Sequence, residues 1–249
     1  MPSPPRTEAA STSCRCECSV LSRETLSGGV LRIRLALPQP ASVAFAAGQY
    51  LVVHAADGAA AAYSIASPPQ TADSVIELHV GPRGLDSGNL DLLITSGDRL
   101  DISLPYGRCA LQAPPTQPTL FVAASTGFAQ MKSMLEFCFD AGLQAPLYLY
   151  WGGTSAQDLY LQHLPEAWSA AVPDFHFIPV VSGAEPNWTG RTGMLHSAIR
   201  ADFSSLAGCG LYLSGSPQMV YGTVDGLGGL GLAEADIHAD VFDYAPRDS

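Results

Sequence analysis

A chain of 249 residues, 47% apolar and 14% charged, has enough material for one large or two small globular domains. The formal net charge of −11, with Lys132 as the only lysine, argues against non-specific binding to nucleic acid, which requires a basic surface. No apolar run approaches the roughly 20 residues of a membrane helix, and the N-terminus lacks the apolar core of a secretory signal. We therefore expect a cytoplasmic protein with no membrane partner.

Three cysteines follow a tail, residues 1–13, that is rich in Pro, Ser, Thr and Ala and is expected to be disordered. Cys14, Cys16 and Cys18 are spaced more closely than zinc and iron–sulfur ligands usually are, and no second pair of suitable spacing follows. In a strand all three thiols would share one face. We therefore predict no metal site and interpret the cluster as the start of a strand in a reducing cytosol. Metal or redox chemistry at the cluster is the alternative.

Short β-like segments fill residues 14–112. Apolar and polar residues alternate through them, and turns containing Gly, Pro or Asp separate them, which is typical of an antiparallel β-barrel or sandwich. We expect a short helix within residues 86–95 of this domain; the family resemblance given below implies that the domain is a barrel of the flavin-binding type. The predicted strands are 30–37, 50–54, 62–65, 75–80 and 99–104.

After a proline-rich linker, residues 113–118, strands alternate with helices through residues 119–249. That alternation predicts an α/β domain of the nucleotide-binding type, in which helices cover both faces of a parallel sheet. The predicted strands are 120–123, 147–151, 176–181, 210–214 and 238–242, and the predicted helices are 128–141, 158–168, 194–200 and 218–227.

Small residues stand at each strand-to-helix junction of this second half: 125–127, 152–154, 190–193 and 214–217. In open α/β sheets ligands bind outside the carboxyl ends of the strands, where small residues let phosphates approach the backbone. Ser125, Thr126 and Gly127 precede a helix whose first N–H groups could hold a dinucleotide pyrophosphate. An ordinary strand–turn–helix unit that binds nothing is the alternative.

A series of motifs, in order from about residue 16 to residue 244, resembles the ferredoxin–NADP reductase superfamily, in particular the bacterial NAD(P)H:flavin reductases. Trp-Thr-Gly-Arg-Thr-Gly at 188–193 and the Gly-Ser-Pro-Gln-Met element at 215–219 are the more specific of them. The others are Phe-Ala-Ala-Gly-Gln-Tyr-Leu at 45–51, Tyr-Ser-Ile-Ala-Ser at 63–67, Val-Ile-Glu-Leu-His-Val at 75–80, Phe-Val-Ala-Ala-Ser-Thr-Gly-Phe at 121–128, Tyr-Trp-Gly-Gly at 150–153, Asp-Leu-Tyr at 158–160 and Pro-Val-Val at 179–181.

The resemblance implies roles for individual residues. The ring of Tyr63 would lie beside a flavin, the Ser64 hydroxyl or backbone would stand near the reacting flavin nitrogen as the catalytic group, and Ile65 and Ala66 would complete the floor. A nicotinamide nucleotide would lie across the cofactor-binding residues Ser125, Thr126, Gly127, Gly152 and Gly153, with Ser214, Gly215, Pro217 and Met219 at its nicotinamide end. Asp240 and Phe242 belong to a C-terminal tail that would return toward the flavin.

Three departures from the family pattern refine these expectations. Ala61 replaces an arginine that normally pairs with flavin phosphate or ribityl oxygens, and such a contact is worth about 1.5–3 kcal/mol, or roughly one to two decades of affinity. Arg83 is a candidate replacement. Ala124 and Ser125 replace two glycines of the pyrophosphate turn, which their small size permits. Thr154 replaces a basic residue, so we expect NADH to be favoured over NADPH.

The resemblance therefore implies an NAD(P)H-dependent flavin oxidoreductase in which hydride passes from a nicotinamide to a weakly bound flavin at the domain cleft. The flavin could be FAD, FMN or riboflavin. Three alternatives stay open: a non-catalytic family member that acts as a binding or regulatory module, a reductase component that serves a partner oxygenase or biosynthetic enzyme, and a reductase that acts through the Cys14–Cys18 cluster.

Overall fold

The first half of the chain forms an antiparallel sheet that curls into a barrel. The structure is a computed structural model that describes residues 13–38, 44–69, 75–82 and 89–247, so the predicted tail lies almost wholly outside it. The strands are β1 (Cys14–Thr25), β2 (Leu31–Ala36), β3 (Tyr50–His54), β4 (Ala60–Ser64), β5 (Val75–Val80) and β6 (Arg99–Tyr106), with helix α1 (Asn89–Ser96) before β6.

Alternation of side chains along these strands builds the barrel core. In β2, Ile33 and Leu35 are fully buried, whereas the arginines between and beside them point outward. The spatial order is β4-β3-β6-β1-β2-β5. Ile65, just after β4, pairs with Leu78 of β5, which brings the two edges of the sheet together. The predicted antiparallel barrel is therefore confirmed.

The cysteine cluster lies at the start of β1, and its three thiols share one face, as predicted. Cys14 is exposed, Cys16 is partly buried, and Cys18 is fully buried in the barrel core. The Cys16 and Cys18 sulfurs are 3.8 Å apart. Within the described ranges, no group of three or more His, Cys, Asp or Glu side chains is placed to hold a metal ion.

The second half forms a parallel sheet between two layers of helices. Its strands are β7 (Thr119–Ala124), β8 (Leu147–Gly153), β9 (Phe175–Val181), β10 (Arg191–Thr192), β11 (Gly210–Ser214) and β12 (Ile237–His238), in the order β10-β9-β8-β7-β11-β12. The helices are α2 (Phe128–Ala141), α3 (His163–Ala171), α4 (Leu195–Asp202), α5 (Pro217–Gly226) and α6 (Val241–Tyr244).

Adjacent residues of β7 show how both faces of this sheet are covered. Phe121 belongs to a core cluster with α2, whereas Leu120 and Val122 belong to a cluster on the opposite face with α4 and α5. The predicted α/β fold is therefore confirmed. No helix in the described ranges is both long and apolar enough to cross a bilayer.

Two predicted elements of this half are wrong in part. The helix predicted over 158–168 begins only at His163, because the Asp158 carboxylate accepts the N–H groups of Thr154 and Ser155 and holds a short 3₁₀ turn instead. The strand predicted over 238–242 ends at His238. The chain then turns at Asp240, and Val241 is buried against the second core as part of α6. A short apolar run cannot distinguish these outcomes.

The carboxyl ends of β7, β8 and β11 lie at one edge of the parallel sheet. Ser125 follows β7, Gly153 ends β8, and Ser214 ends β11. This edge faces the barrel and positions the site.

Candidate functional site

A cavity of about 960 Å³ lies between the barrel and the carboxyl edge of the parallel sheet. This volume is at the upper end of the range for ligand pockets, which is roughly 300–1,000 Å³. The barrel contributes Tyr50, Ala62, Tyr63, Ser64, His79, Gly81 and Pro82, and the α/β half contributes, among others, Ser125, Thr126, Gly127, Gln130, Gly152, Gly153, Asp158, Leu195, Ser214, Gly215, Met219, Asp240 and Tyr244.

The turn at 125–127 carries a backbone that other residues hold in place. Ser125 has a positive φ of 47°, and its carbonyl accepts a hydrogen bond of 3.0 Å from the Trp151 indole N–H. A β-carbon added at Gly127 would overlap the carbonyl oxygen of Ser214, so only glycine fits. Among the described residues no side chain caps the start of α2, but the Phe128 N–H already donates to the carbonyls of Ser125 and Thr126. An anion here would therefore rely on the other backbone N–H groups of the turn and of the first helical turn.

The junction after β8 is equally tight and carries an acidic group. A β-carbon at Gly153 would overlap the side chain of Asp158, and one at Gly152 would lie 3.0 Å from Leu195. The Asp158 Oδ2 accepts the N–H groups of Thr154 and Ser155 at 2.8 and 2.9 Å. A carboxylate therefore lines the cavity beside the position where the family pattern has a base.

The junction after β11 lies close to the turn after β7. A β-carbon at Gly215 would overlap the terminal methyl of Met219 and would lie 3.3 Å from the β-carbon of Ala124. Ser216 caps α5 by accepting the Met219 N–H at 3.3 Å. Pro217 occupies the first turn of that helix and does not line the cavity. The glycines at these junctions therefore bring the backbone close to neighbouring groups at this side of the cavity.

The barrel side of the cavity is aromatic. Tyr63 and Ser64 line it, and burial raises the pKa of Tyr63 to about 12, so this phenol stays neutral. Tyr50 lines the same wall and stacks on Tyr106, with 5.7 Å between the ring centroids. A flat apolar ring suits such a wall, which supplies stacking faces and few directed polar groups.

Ile65 and Ala66, predicted to complete this wall, are not brought to the cavity. Both are fully buried, and Ile65 packs in the barrel core. Their N–H groups donate to the carbonyls of Gln49 and Glu77. Ile65 also bridges to Leu78 of β5, so the backbone of both residues is already engaged within the barrel.

Of the two site residues predicted in the C-terminal tail, one lies at the cavity and the other does not. Asp240 lines the cavity, where its carboxylate accepts the Cys109 N–H at 3.2 Å and the Gln130 side-chain amide at 2.9 Å. Burial raises the pKa of Asp240. Phe242 instead packs against the core of the second sheet and the ring of Tyr221. Tyr244, which was not predicted, lines the cavity and is 65% exposed.

None of the described residues that line the cavity is an arginine or a lysine. Its histidines are His79 and His196, and both ring nitrogens of His79 are engaged, by Glu77 and Tyr160 at 2.9 Å each. Burial lowers the pKa of His79, so it is neutral near pH 7. Arg83, the candidate replacement for the missing arginine, lies outside the described residues. The cavity therefore fits flat rings and backbone-bound phosphates but offers no described cation.

Tyr50, Gln130 and Tyr244 were not predicted as site residues. Tyr50 stands inside the quoted motif at 45–51, and that motif could have identified it. Gln130 and Tyr244 reach the cavity through contacts between distant parts of the chain, which no local pattern reports.

Comparisons with known proteins agree with this geometry. A family model for an oxidoreductase FAD-binding domain matches residues 17–110, and one for an oxidoreductase NAD-binding domain matches residues 121–225. The chain is 37% identical over 209 residues to an NAD(P)H-flavin reductase of Aliivibrio fischeri, a match that covers 81% of this chain and 87% of that protein.

Two further relatives are reductases with longer chains. Reductase component 2 of terephthalate 1,2-dioxygenase from a Comamonas species is 34% identical over 237 residues, which are 93% of this chain and 69% of that protein. The crystal structure of a cytochrome P450 reductase from Amycolatopsis matches with a TM-score of 0.82 at 28% identity, over 92% of this chain and 69% of that chain.

The fold and the two domain matches define a two-domain oxidoreductase that uses a flavin and a nicotinamide nucleotide. The chain belongs to the ferredoxin–NADP reductase superfamily, as its motifs predicted. The predicted enzyme class, an NAD(P)H-dependent flavin oxidoreductase, is thereby confirmed.

Proposed function

We propose that this protein is an NADH-preferring flavin reductase whose flavin is an exchangeable substrate. The observation that carries the proposal is the composition of the cavity: it has aromatic and glycine-lined walls but no described arginine or lysine. Phosphate-bearing flavins usually gain affinity from such cations. Without one, binding depends on the ring, so riboflavin should serve about as well as FMN or FAD.

The two sides of the cavity would bind different ligands. When bound, nicotinamide and flavin rings supply the hydride donor and acceptor, and the protein supplies position. The Ser125–Gly127 turn and the start of α2 would hold the pyrophosphate, and Gly215 with Met219 would border the nicotinamide. Tyr63 and Tyr50 would form the flavin wall. Ser64, at the end of β4, would direct a hydrogen bond to the reacting part of the ring.

The preference for NADH rests on Asp158. Its carboxylate lines the cavity at the junction after β8. A carboxylate there can accept a ribose hydroxyl but repels a 2′-phosphate. A basic side chain is absent from the described cavity lining, so nothing in that part of the chain offsets the repulsion.

Steady-state oxidation of NADH with each of the three flavins tests the proposal. We expect kcat/KM values for riboflavin, FMN and FAD that agree within about fivefold, since a charge-assisted phosphate contact would separate them by one to two decades. Turnover only with FAD, at a value at least a hundredfold above riboflavin, would contradict an exchangeable substrate.

Replacing Ser64 tests the ring site more directly. Ser64→Ala should lower the rate of hydride transfer about tenfold, the loss expected for one hydrogen bond of roughly 1–1.5 kcal/mol. The unfolding midpoint should change little, because Ser64 is only partly buried. Ser22→Ala, at the bulge in β1 far from the cavity, is a matched control. An unaltered rate in the Ser64 variant would place the flavin elsewhere.

A second candidate is a reductase component that keeps its flavin and passes electrons to a separate protein. The similarity to the terephthalate dioxygenase reductase component favours it. The discriminating measurement is gel filtration of the flavin-loaded protein followed by assay with a one-electron acceptor and no added flavin. Retained yellow colour and full turnover would make this candidate the leading one. A colourless protein that needs added flavin supports the first.

A further inference from the structure

The only lysine of the chain is buried between the two halves of the molecule. Lys132 lies in the second turn of α2 and is 7% exposed. Its Nζ donates to the Ala66 carbonyl at 3.2 Å and to Glu136 Oε2 at 2.9 Å, and lies 3.5 Å from Glu77 Oε1. Ala66 and Glu77 belong to the barrel, so this ammonium group bridges the two halves.

The bridge connects the two walls of the cavity by a short path. On one side, only four residues lie between Gly127 and Lys132, and all four belong to helix α2. On the other side, Ala66 stands two residues after Ser64. Tilting α2 against the barrel would therefore break the Lys132–Ala66 hydrogen bond. It would also move the turn at 125–127 relative to the Tyr63–Ser64 wall.

Neighbouring polar contacts run in parallel with this bridge. The Ser133 hydroxyl donates to the Ser67 carbonyl at 2.8 Å, and the Gln130 amide donates to the Gly48 carbonyl at 2.8 Å. Glu77 also accepts from His79, whose other nitrogen contacts the Tyr160 hydroxyl of the α/β half. Lys132 holds the only ammonium group among these contacts, and its partners point at it from both halves.

The geometry explains why a lysine stands here when every other Lys or Arg position is an arginine. The three oxygens belong to a backbone carbonyl of the barrel, a strand carboxylate and a carboxylate on the helix itself. A tetrahedral ammonium has three donors that can meet such separate acceptors. A planar guanidinium is longer and presents its donors as a fork, which suits one carboxylate better than three separate groups.

We infer that Lys132 is a positioning residue, which sets the separation between the turn that holds the nicotinamide nucleotide and the wall that holds the flavin. The inference rests on the proposed function for its consequence, since hydride transfer depends steeply on the alignment of the two rings. A displacement of about 1 Å can lower such a rate by about a hundredfold.

The first arm of the test uses ligand-free protein. Lys132→Met keeps the length and apolar body of the side chain and removes the donors. Hydrogen-exchange mass spectrometry should show amide exchange about fivefold faster both in residues 60–67 and in residues 128–136, because local opening at each partner becomes easier. Faster exchange confined to 128–136 would overturn the bridge.

The second arm measures hydride transfer with NADH and riboflavin. In Lys132→Met, kcat should fall about ten- to a hundredfold while KM for both substrates changes less than threefold. The primary isotope effect with NADH deuterated at C4 should rise, because hydride transfer becomes rate-limiting. Lys132→Arg should be as slow as Lys132→Met. If positive charge alone were needed, the arginine variant would instead keep the wild-type rate.

A double variant separates positioning from simple destabilisation. Glu77→Gln combined with Lys132→Met removes one of the two carboxylates that lose the lysine charge, so the unfolding midpoint should recover part of the way toward that of the wild type. The rate should stay low, because the hydrogen bond to Ala66 is still missing. A rate that recovers with stability would overturn the positioning role.

A wild-type protein with no flavin-dependent oxidation of NADH would overturn the proposed function and the positioning role together. An active wild type with unchanged Lys132→Met kinetics would overturn the positioning role alone.

Discussion

The two sides of the cavity are built on opposite principles. On the α/β side, glycines at 127, 153 and 215 stand where any β-carbon would overlap a neighbour, and the polar contacts come from the backbone. On the barrel side, Tyr50, Tyr63 and Ser64 present faces and a hydroxyl, and Ala61, beside the lining residue Ala62, is the position at which the motif resemblance led us to expect an arginine. The α/β side is thus fixed by close packing, and the barrel side, where we propose that the flavin binds and exchanges, presents side-chain faces instead.

This difference teaches where each ligand should gain its affinity. A pyrophosphate can be held by helix N–H groups without any cation, so the α/β side loses little from the acidic composition of the chain. A flavin phosphate on the barrel side has no comparable set of backbone donors among the described residues.

We expect the largest effect from adding a side chain at Gly127, one of the closely packed glycines on the α/β side. Gly127→Ala would push a methyl group into the Ser214 carbonyl, and overpacking of this kind costs about 1–3 kcal/mol of stability. NADH oxidation should fall at least a hundredfold, because the turn and the start of α2 must move. Gly222→Ala, whose methyl meets no atom within 4 Å, is the matched control for the unfolding midpoint and should not lower it. Equal unfolding midpoints for the two variants would contradict the close-packed turn.

Adding a cation to the flavin side should sharpen the contrast. Ala61 shares a strand face with Tyr63, because side chains alternate along β4. Ala61→Arg should therefore tighten FMN and FAD binding about ten- to a hundredfold, the effect of a contact worth 1.5–3 kcal/mol. Riboflavin, which lacks the phosphate, is the internal control and should change little. A uniform gain across all three flavins would show that the arginine acts on the ring instead.

Removing the acid beside the nucleotide tests the α/β side more gently. Asp158→Asn keeps an oxygen that can accept the loop N–H groups and removes the charge that repels a 2′-phosphate. The ratio of kcat/KM for NADPH to that for NADH should rise about three- to tenfold, as expected for a charge contact of roughly 1 kcal/mol in partly solvated surroundings. Asp140→Asn, an exposed position at the far end of α2, removes the same charge without this effect. Equal ratios in all three proteins would contradict the role of Asp158.

The smallest expected effect concerns the interface that joins the two sides. Burial disfavours the charged form of Glu77, but the hydrogen bond from His79 and the charge of Lys132 outweigh it and lower the pKa of this carboxyl to about 2. A lowered folded-state pKa stabilises the fold above the ordinary value near 4.5, and this stabilisation is lost as the pH falls toward 2. The free energies of unfolding of the wild type and of Glu77→Gln, measured in urea, should therefore differ at pH 6, and the difference should shrink as the pH falls from about 4.5 toward 2. A difference that does not depend on pH would contradict the ion pair.

Much of the fold could be predicted because its elements have clear periods. Helix α2 begins and ends at the predicted residues, since apolar residues recur at helical spacing from Phe128 to Cys138. The glycine-rich junctions could be predicted for a different reason: each is a short stretch whose composition can be seen directly in the sequence. The segment after His238 was not, since two apolar residues in a row fit a strand and a one-turn helix equally well.

The site was less accessible to the sequence than the fold. Tyr63 and Ser64 reach the cavity, whereas Ile65 and Ala66 do not, because Ile65 bridges to Leu78 and both residues are fully buried, which the local pattern does not report. Gln130 and Lys132 lie inside a predicted helix, and the helical spacing gives neither of them a special role. Their partners, Gly48 and Ala66, are more than sixty residues away in the chain, so only the folded structure shows that α2 joins the two halves.

The most direct test of the contrast is to measure the equilibrium binding of riboflavin, FMN and FAD to ligand-free protein. The quenching of flavin fluorescence reports the bound fraction. We predict micromolar affinities that agree within about fivefold, which would show a ring pocket without a phosphate contact. A preference for FMN or FAD of two decades or more would contradict this account and would point to a cation outside the described residues, with Arg83 the first to replace by alanine.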